Sequence, residues 1–267
     1  MEREILSPWF VRYETARIAA AQMRLFCFHH AGAAASAFRA WPQGVPSAVD
    51  VIAIQLPGRE YRLGEPLMSD MAEIVTAVAQ VMPPLLDKPY VFFGHSMGAL
   101  IAFDLIRSLR QTGLPEPELL VASGRNAPQF QWRDPSIRLL SDEELVAAVR
   151  VYNGTPEELL QARIMRDLWL PRFRADMTAS VMYRYVEQRP LTCPILVMSG
   201  MDDTLVSDAG LESWSAHTTG EVRFVRCPGD HFFIESARDL VLDRIRAEFL
   251  DRLTDGAASE LTTCPGY

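Results

Sequence analysis

The pentapeptide Gly94-His95-Ser96-Met97-Gly98 constrains this chain more than any other feature. It follows a short apolar run, Tyr90 to Phe93, and precedes a stretch of helical periodicity, Met97 to Leu109, that stops at Gly113. Strand, tight turn and helix in that order lift a serine hydroxyl above the end of a sheet. Side chains at 94 and 98 would collide with the neighbouring strand and helix, which is why both positions are glycine. The helix begins beside the hydroxyl, so the backbone N–H of Met97 is free to face charge developing on a substrate oxygen. The sequence therefore offers Ser96 as a nucleophile and Met97 as one oxyanion donor.

The rest of the chain supplies the sheet that such a turn needs. Apolar runs suited to strands lie at Arg24 to Phe28, Val51 to Leu56, Leu119 to Ala122, Ile195 to Met198 and Val222 to Val225. Helical periodicity covers Met71 to Leu86 and Leu240 to Leu253. Alternating strands and helices predict a mostly parallel central sheet with helices on both faces. A length of 267 residues accommodates one such domain, spanning 1–267. The alternation breaks between Gly124 and Pro190, where only helix signals occur. Ser141 with Glu144 forms a capping box, and Thr155-Pro156 with Glu158 offers a helix start. Pro171 to Glu187 has apolar residues at helical spacing. An all-helical insertion over 125–190, following a strand, predicts a lid over the strand ends, where ligands bind in such sheets. Trp169, Phe173 and Met177, with Met182, recur about one turn apart and are candidates to line a substrate channel. The small, polar residues 254–267 are expected to form a disordered tail.

A serine hydroxyl needs a base, and the base a carboxylate. In strand–turn–helix hydrolases the chain order is serine, acid, histidine. Of five histidines, His29 and His30 precede Ser96, and His95 adjoins it and should point away. His217 sits in the polar segment Ser215 to Thr219 and is expected to be solvated. His231 follows the last strand run across a Pro-Gly turn and precedes the last helix, which is the position of the base. Asp202 and Asp203 both follow the run Ile195 to Met198, and spacing alone does not choose between them. Asp230 is too close to His231 along the chain to orient its ring. The small-residue loop His29 to Ala35 lets backbone N–H groups approach a substrate oxygen and supplies a second oxyanion donor.

Composition excludes several other classes. A net charge of −8 argues against nucleic acid as a partner. No uninterrupted apolar run nears the roughly 20 residues of a membrane helix, and Met1-Glu2-Arg3-Glu4 lacks the layout of a secretion signal. The four cysteines form no Cys-x-x-Cys pair, which predicts free thiols and a cytoplasmic location. The 125–190 insertion carries ten Arg against nine Asp and Glu, a net of +1 in a chain of −8.

Several longer motifs resemble the type II thioesterases of polyketide and nonribosomal-peptide synthetase systems. They are Phe28-His29-His30-Ala31-Gly32-Ala33, Gln55-Leu56-Pro57-Gly58-Arg59, Phe93 to Ala99, Ser123-Gly124-Arg125-Asn126-Ala127-Pro128, Leu170 to Asp176 and Gly229-Asp230-His231-Phe232-Phe233. Ala33 and Asp230 stand where that family usually has glycine. The resemblance implies an α/β-hydrolase fold, with Ser96 as nucleophile, His231 as base, and Asp203 rather than Asp202 as the acid. It also implies that Ala31 supplies the second oxyanion N–H. The implied activity is hydrolysis of acyl groups from the phosphopantetheine arm of acyl or peptidyl carrier proteins, clearing stalled or misprimed chains. It requires no metal and no organic cofactor.

Overall fold

A computed structural model describes residues 3–13, 19, 21–130, 135–151 and 157–261. Eight strands form one sheet: β1 (Arg3–Ser7), β2 (Phe10–Tyr13), β3 (Met23–Phe28), β4 (Val49–Ile54), β5 (Tyr90–His95), β6 (Leu119–Ser123), β7 (Ile195–Gly200) and β8 (Val222–Cys227). Their order is β1-β2-β4-β3-β5-β6-β7-β8. From β4 to β8 every neighbouring pair is parallel, while β1 and β2 run antiparallel at one edge. Strands β3, β4, β5, β6 and β7 are buried along their whole length, as continuous apolar runs in a parallel sheet should be.

Strict alternation along these strands feeds two separate cores. Phe26, Phe28, Ile52, Ile54 and Phe92 pack on one face with the helices α1 (Met71–Val81) and α2 (Met97–Gln111). Leu25, Cys27, Val51, Val91 and Phe93 pack on the other with Phe38, Trp41, Val241, Ile245 and Phe249. Fully burying one such side chain contributes about 1.5–3 kcal/mol, so the sheet is stabilised from both sides. Helix α1 starts at Asp70, whose carboxylate accepts the N–H groups of Ala72 (2.7 Å) and Glu73 (3.1 Å). It stops before Pro83, where the Pro83-Pro84 pair at the end of the Met71 to Leu86 periodicity is expected to halt it. Proline cannot donate an intrahelical bond, so the chain tightens there into a 3₁₀ turn.

The antiparallel edge was not legible as strand. Buried Arg12 on β2 makes a paired contact with Asp50 on β4, both bonds 2.8 Å, and so hides two charges in the sheet. A strand carrying a buried arginine lacks the apolar run that marks its neighbours.

Between β6 and β7 the described residues form α3 (Asp142–Val151), α4 (Glu157–Gln161) and α5 (Arg163–Met182), while residues 125–130 and 183–190 of the expected all-helical insertion lie outside any helix. The Ser141/Glu144 capping box forms, with Ser141 N–H to Glu144 at 2.7 Å and Glu144 N–H to Ser141 at 3.3 Å. Thr155-Pro156 lies outside the described residues. Helix α5 starts eight residues before Pro171 and ends at Met182, where the Tyr183 backbone turns extended. The expected span of Pro171 to Glu187 therefore shifts toward the N-terminus, with the proline inside the helix. Leu170, Phe173, Met177 and Val181 hold that helix to Ile137, Leu145, Val146, Val149 and Leu160, a core whose buried members all come from the insertion and against which Ala31 packs. The last helices are α6 (Asp208–Glu212), α7 (Phe233–Ser236) and α8 (Arg238–Leu261). Helix α8 continues to Leu261, past the residue where a tail was expected to begin. No helix among the described residues is long and apolar enough to cross a membrane.

The turn from β5 into α2 brings backbone against backbone. A Cβ on Gly98 would overlap the Phe28 carbonyl, and one on Gly94 would overlap the Gly98 carbonyl. Gly98→Ala should therefore cost about 1–3 kcal/mol, the usual penalty for overpacking, read as a lower urea midpoint. Gly64, whose Cβ would meet nothing, supplies the control. Its alanine variant should stay within about 0.5 kcal/mol of the parent. An unchanged midpoint for Gly98→Ala contradicts the close approach.

Candidate active site

Ser96 leaves β5 with φ 55° and ψ −113°. A side-chain-bearing residue adopts that backbone at a cost of about 1–3 kcal/mol. The strain is held by the Ser96 N–H, which donates to the Ser123 carbonyl at 2.8 Å, and by the Ala99 N–H, which donates to the Ser96 carbonyl at 3.1 Å. Met97, the first residue of α2, is fully buried beside it. The N–H groups of a helix's first turn have no intrahelical acceptor, so the start of α2 offers donors at the hydroxyl.

His231 comes from the loop after β8 and Asp203 from the loop after β7. The two loops pack together: Met201 N–H donates to Cys227 at 2.8 Å, and Asp202 N–H to Gly229 at 3.0 Å. His231 Nδ1 lies 2.8 Å from Asp203 Oδ2, and the other carboxylate oxygen accepts the Leu205 N–H at 2.9 Å. Both side chains are almost wholly buried, whereas Asp202 is exposed. Asp230 turns away from the ring and accepts the Phe232 N–H at 2.9 Å. With Nδ1–H given to the carboxylate, Nε2 of His231 carries the lone pair that a base requires.

Ser96 and His231 line one small cavity, of about 30 Å³, together with His30, Ala31, Phe173, Met177, Leu205 and Phe232. Of the three insertion residues singled out by spacing, Phe173 and Met177 reach this cavity. Trp169 does not line it. Its ring stacks on Phe173, centroids 4.8 Å apart, and its Nε1–H donates to the Gly32 carbonyl at 3.1 Å. Met182 is 42 % exposed and lies away from the serine. A larger cavity, about 440 Å³, opens between α1, α2 and the segment after α5, and none of the residues around Ser96 lines it.

The other histidines have distinct surroundings. His95 is fully buried, its Nδ1 2.9 Å from the Ser123 hydroxyl and its ring centroid 5.1 Å from that of His231. Burial, then the neighbouring His231 and His30, hold it well below the ordinary histidine range and keep it neutral. Burial and then the Arg59 charge do the same to His29. His30 has Nδ1 3.0 Å from the Ala31 carbonyl and Nε2 3.9 Å from Glu235, whose carboxyl it holds below its usual range. His217 corrects the expectation of a solvated ring. It is 5 % exposed, bonds Gln129, and is pushed down to about 4 by burial and then by Arg107. Ser215 and Thr219 face outward, while Thr218 is buried and the ring turns in against Trp214 and Phe103.

Sequence reasoning did not find His30, Leu205 and Phe232 in the cavity, nor a buried ion pair behind it. Arg59 donates to Asp176 through both Nη atoms, each bond 2.8 Å, with side chains 1 % and 0 % exposed. The partners are 117 positions apart, and no spacing rule joins them.

A serine at a strained strand-to-helix turn, on a parallel sheet wrapped by helices on both faces, defines the α/β-hydrolase class. Comparison with known proteins narrows the class. The chain belongs to the thioesterase family, whose Thioesterase domain matches residues 23–249. It is 41 % identical over 233 residues to the gramicidin S biosynthesis protein GrsT of Aneurinibacillus migulanus, covering 87 % of this chain and 90 % of that one. Among solved structures it resembles RedJ, a thioesterase from the prodiginine biosynthetic pathway in Streptomyces coelicolor. That match has 35 % identity and a TM-score of 0.81, covering 86 % of this chain and 87 % of RedJ. The type II thioesterase BorB from the borrelidin biosynthetic cluster matches with 35 % identity and a TM-score of 0.82, covering 90 % and 96 %. The protein is an enzyme, a thioesterase.

Asparagine at 203 would keep the shape of the His231 contact and favour the wrong ring tautomer. Asp203→Asn should lower kcat by about 10⁴-fold, as in serine proteases. Asp202→Asn should leave kcat near that of the parent. Steady-state hydrolysis of an acyl-pantetheine thioester reads both, and the reverse ranking would move the acid to Asp202.

Proposed function

We propose that this chain is a stand-alone type II thioesterase that removes acyl groups from the phosphopantetheine arm of acyl or peptidyl carrier proteins. Such an enzyme clears stalled or misprimed chains from a polyketide or nonribosomal-peptide assembly line in the cytoplasm. The observation that carries this reading is the cavity shared by Ser96 and His231, with Asp203 fixed behind the imidazole at 2.8 Å. The place of its relatives in gramicidin S, prodiginine and borrelidin biosynthesis supports the substrate class.

The chemistry follows from the positions. Ser96 Oγ attacks the thioester carbon while His231 Nε2 takes its proton. The carbonyl oxygen becomes an oxyanion that the N–H groups of Met97 and Ala31 stabilise, and the imidazolium is stabilised by Asp203. Collapse expels the pantetheine sulfur, which receives the proton from His231, and leaves an acyl-serine. Water, deprotonated by the same nitrogen, then releases the acid and restores the serine. Phe173, Met177 and Leu205 provide apolar walls for the acyl group.

A carrier protein is too large for such a cavity, so only its pantetheine arm enters. Carrier proteins are generally acidic, and the insertion carries a net charge of +1 in a chain of −8. Arg163 on α5 is 96 % exposed, with Asp167 at 3.9 Å, while Arg166 lies 3.6 Å from Glu143. Each has one such carboxylate beside it, and both are placed to meet an acidic partner, Arg163 with the more exposed side chain.

Two measurements test the proposal. Ser96→Ala should lose about 10⁴- to 10⁶-fold in turnover, as loss of a nucleophile does, with its melting temperature preserved. Retention of more than about a tenth of turnover contradicts the mechanism. Arg163→Glu and Arg166→Glu should lower kcat/KM on acyl-carrier protein but not on an acyl-pantetheine mimic, and added salt should shrink the difference. Mass spectrometry of the carrier before and after incubation reads the loss of acyl mass. Equal losses on both substrates would assign these charges to the insertion's own stability.

A further inference from the structure

The buried pair Arg59–Asp176 joins three parts of the chain that are far apart in sequence. Asp176 Oδ1 receives Arg59 Nη2–H, and Oδ2 receives both Arg59 Nη1–H and the Gly32 backbone N–H, all at 2.8 Å. Arg59 Nη1 also donates to the Ala33 carbonyl at 2.9 Å. Gln55 adds to the same loop by accepting the Ala35 N–H at 2.9 Å and donating to the Arg59 carbonyl at 3.0 Å. Trp169 donates to the Gly32 carbonyl from α5. Thus the peptide groups on both sides of Gly32 are fixed by side chains. Ala31, the residue before it, faces the cavity with Ser96.

Anchoring a helical insertion does not need charge. Apolar side chains of equal volume usually do that at lower cost than a desolvated ion pair. Asp176 does something an apolar residue could not. It accepts a backbone N–H in the loop beside the reacting serine, while Arg59 compensates its charge and fixes its orientation. Gly32 itself has φ +78°, and a Cβ there would press on Trp169 and Phe173 of α5 at 3.0 Å. Loop and helix are therefore fitted to one another at atomic contact.

We propose that Asp176, held by Arg59, is a positioning residue for the oxyanion hole. It fixes the turn after Ala31 so that the Ala31 N–H meets the developing oxyanion, and it makes a seated α5 helix a condition of catalysis. The inference rests on the assignment of Ala31 as a donor in the mechanism above.

The test compares affinity for two inert ligands with turnover. A trifluoromethyl ketone analogue of the acyl-pantetheine adds to Ser96 and places an oxyanion in the hole, while the matching thioether only fills the cavity. Asp176→Asn keeps the size of the side chain and removes its charge. In this variant kcat should fall about 10- to 1,000-fold, the upper end being the loss of one whole oxyanion donor. KM should stay within about threefold, and ketone affinity should fall in step with kcat while thioether affinity holds. Arg59→Lys keeps the charge, loses the paired geometry, and carries the same comparison if the asparagine variant does not fold. A folded variant with unchanged kcat, or with thioether and ketone affinities falling together, overturns the proposal in favour of a plain anchor. Replacing the Ala31 N–H by an ester oxygen separates the two assignments. If that replacement leaves ketone affinity unchanged, Ala31 is not a donor and both readings fall. If it weakens the ketone while Asp176→Asn does not, only the role of Asp176 falls.

Discussion

Backbone contact between α2 and the end of β3 sets the geometry on which everything else in this molecule depends. Only a hydrogen at residue 98 lets the helix lie against the Phe28 carbonyl, and only a hydrogen at 94 lets the strand turn back on that helix. Ser96 is thereby forced to a positive φ of 55°. The strain is local and affordable because the flanking elements are buried almost completely: Phe92 and Phe93 before it, Met97 and Leu100 after it. A sheet with two separate apolar faces holds both ends of the turn. The hydroxyl then sits where the loops after β3, β7 and β8 converge, the usual place for a site in a parallel sheet.

Charge is distributed around that point with economy. His29 and His95 lie beneath the site and are kept neutral by burial. Neither adds positive charge beside His231. One buried carboxylate, Asp203, faces His231 from behind. The other, Asp176, is neutralised by Arg59 and faces the loop that carries Ala31. The insertion folds around its own core, yet that core includes Phe173 and Met177, which also wall the cavity. Packing of the insertion and shape of the cavity are therefore one problem for this sequence, and a change at either residue should be felt by both.

Much of this was legible from residue order. The glycine-flanked serine, the short Pro-Gly turn before His231 and the continuous apolar runs of β3 to β7 each carry a local physical signal. The choice of Asp203 over Asp202 was not local. It came from a family resemblance; in the structure Asp203 is buried against the His231 ring and Asp202 is exposed. The edge strands β1 and β2 were hidden because Arg12 is stabilised by Asp50 rather than by apolar neighbours. The start of α5 was hidden because Pro171 reads as a helix beginning, although the helix tolerates it eight residues in. His217 looked solvated because its sequence neighbours are polar, while the fold turns its ring inward. Long-range pairs such as Arg59–Asp176 lie beyond any periodicity argument, since nothing in either segment names the other.

The central claim is that Ser96 is the nucleophile of a thioesterase whose cavity receives an acyl-pantetheine arm. A fluorophosphonate tests it most directly, because the reagent bonds irreversibly to a serine that has both a base and an oxyanion hole. Digestion and mass spectrometry of the labelled protein should place one adduct per chain on the peptide containing Ser96. Thioester turnover should fall in proportion to the labelled fraction. An adduct on another residue, or full turnover by a chain whose Ser96 is fully labelled, would contradict the account.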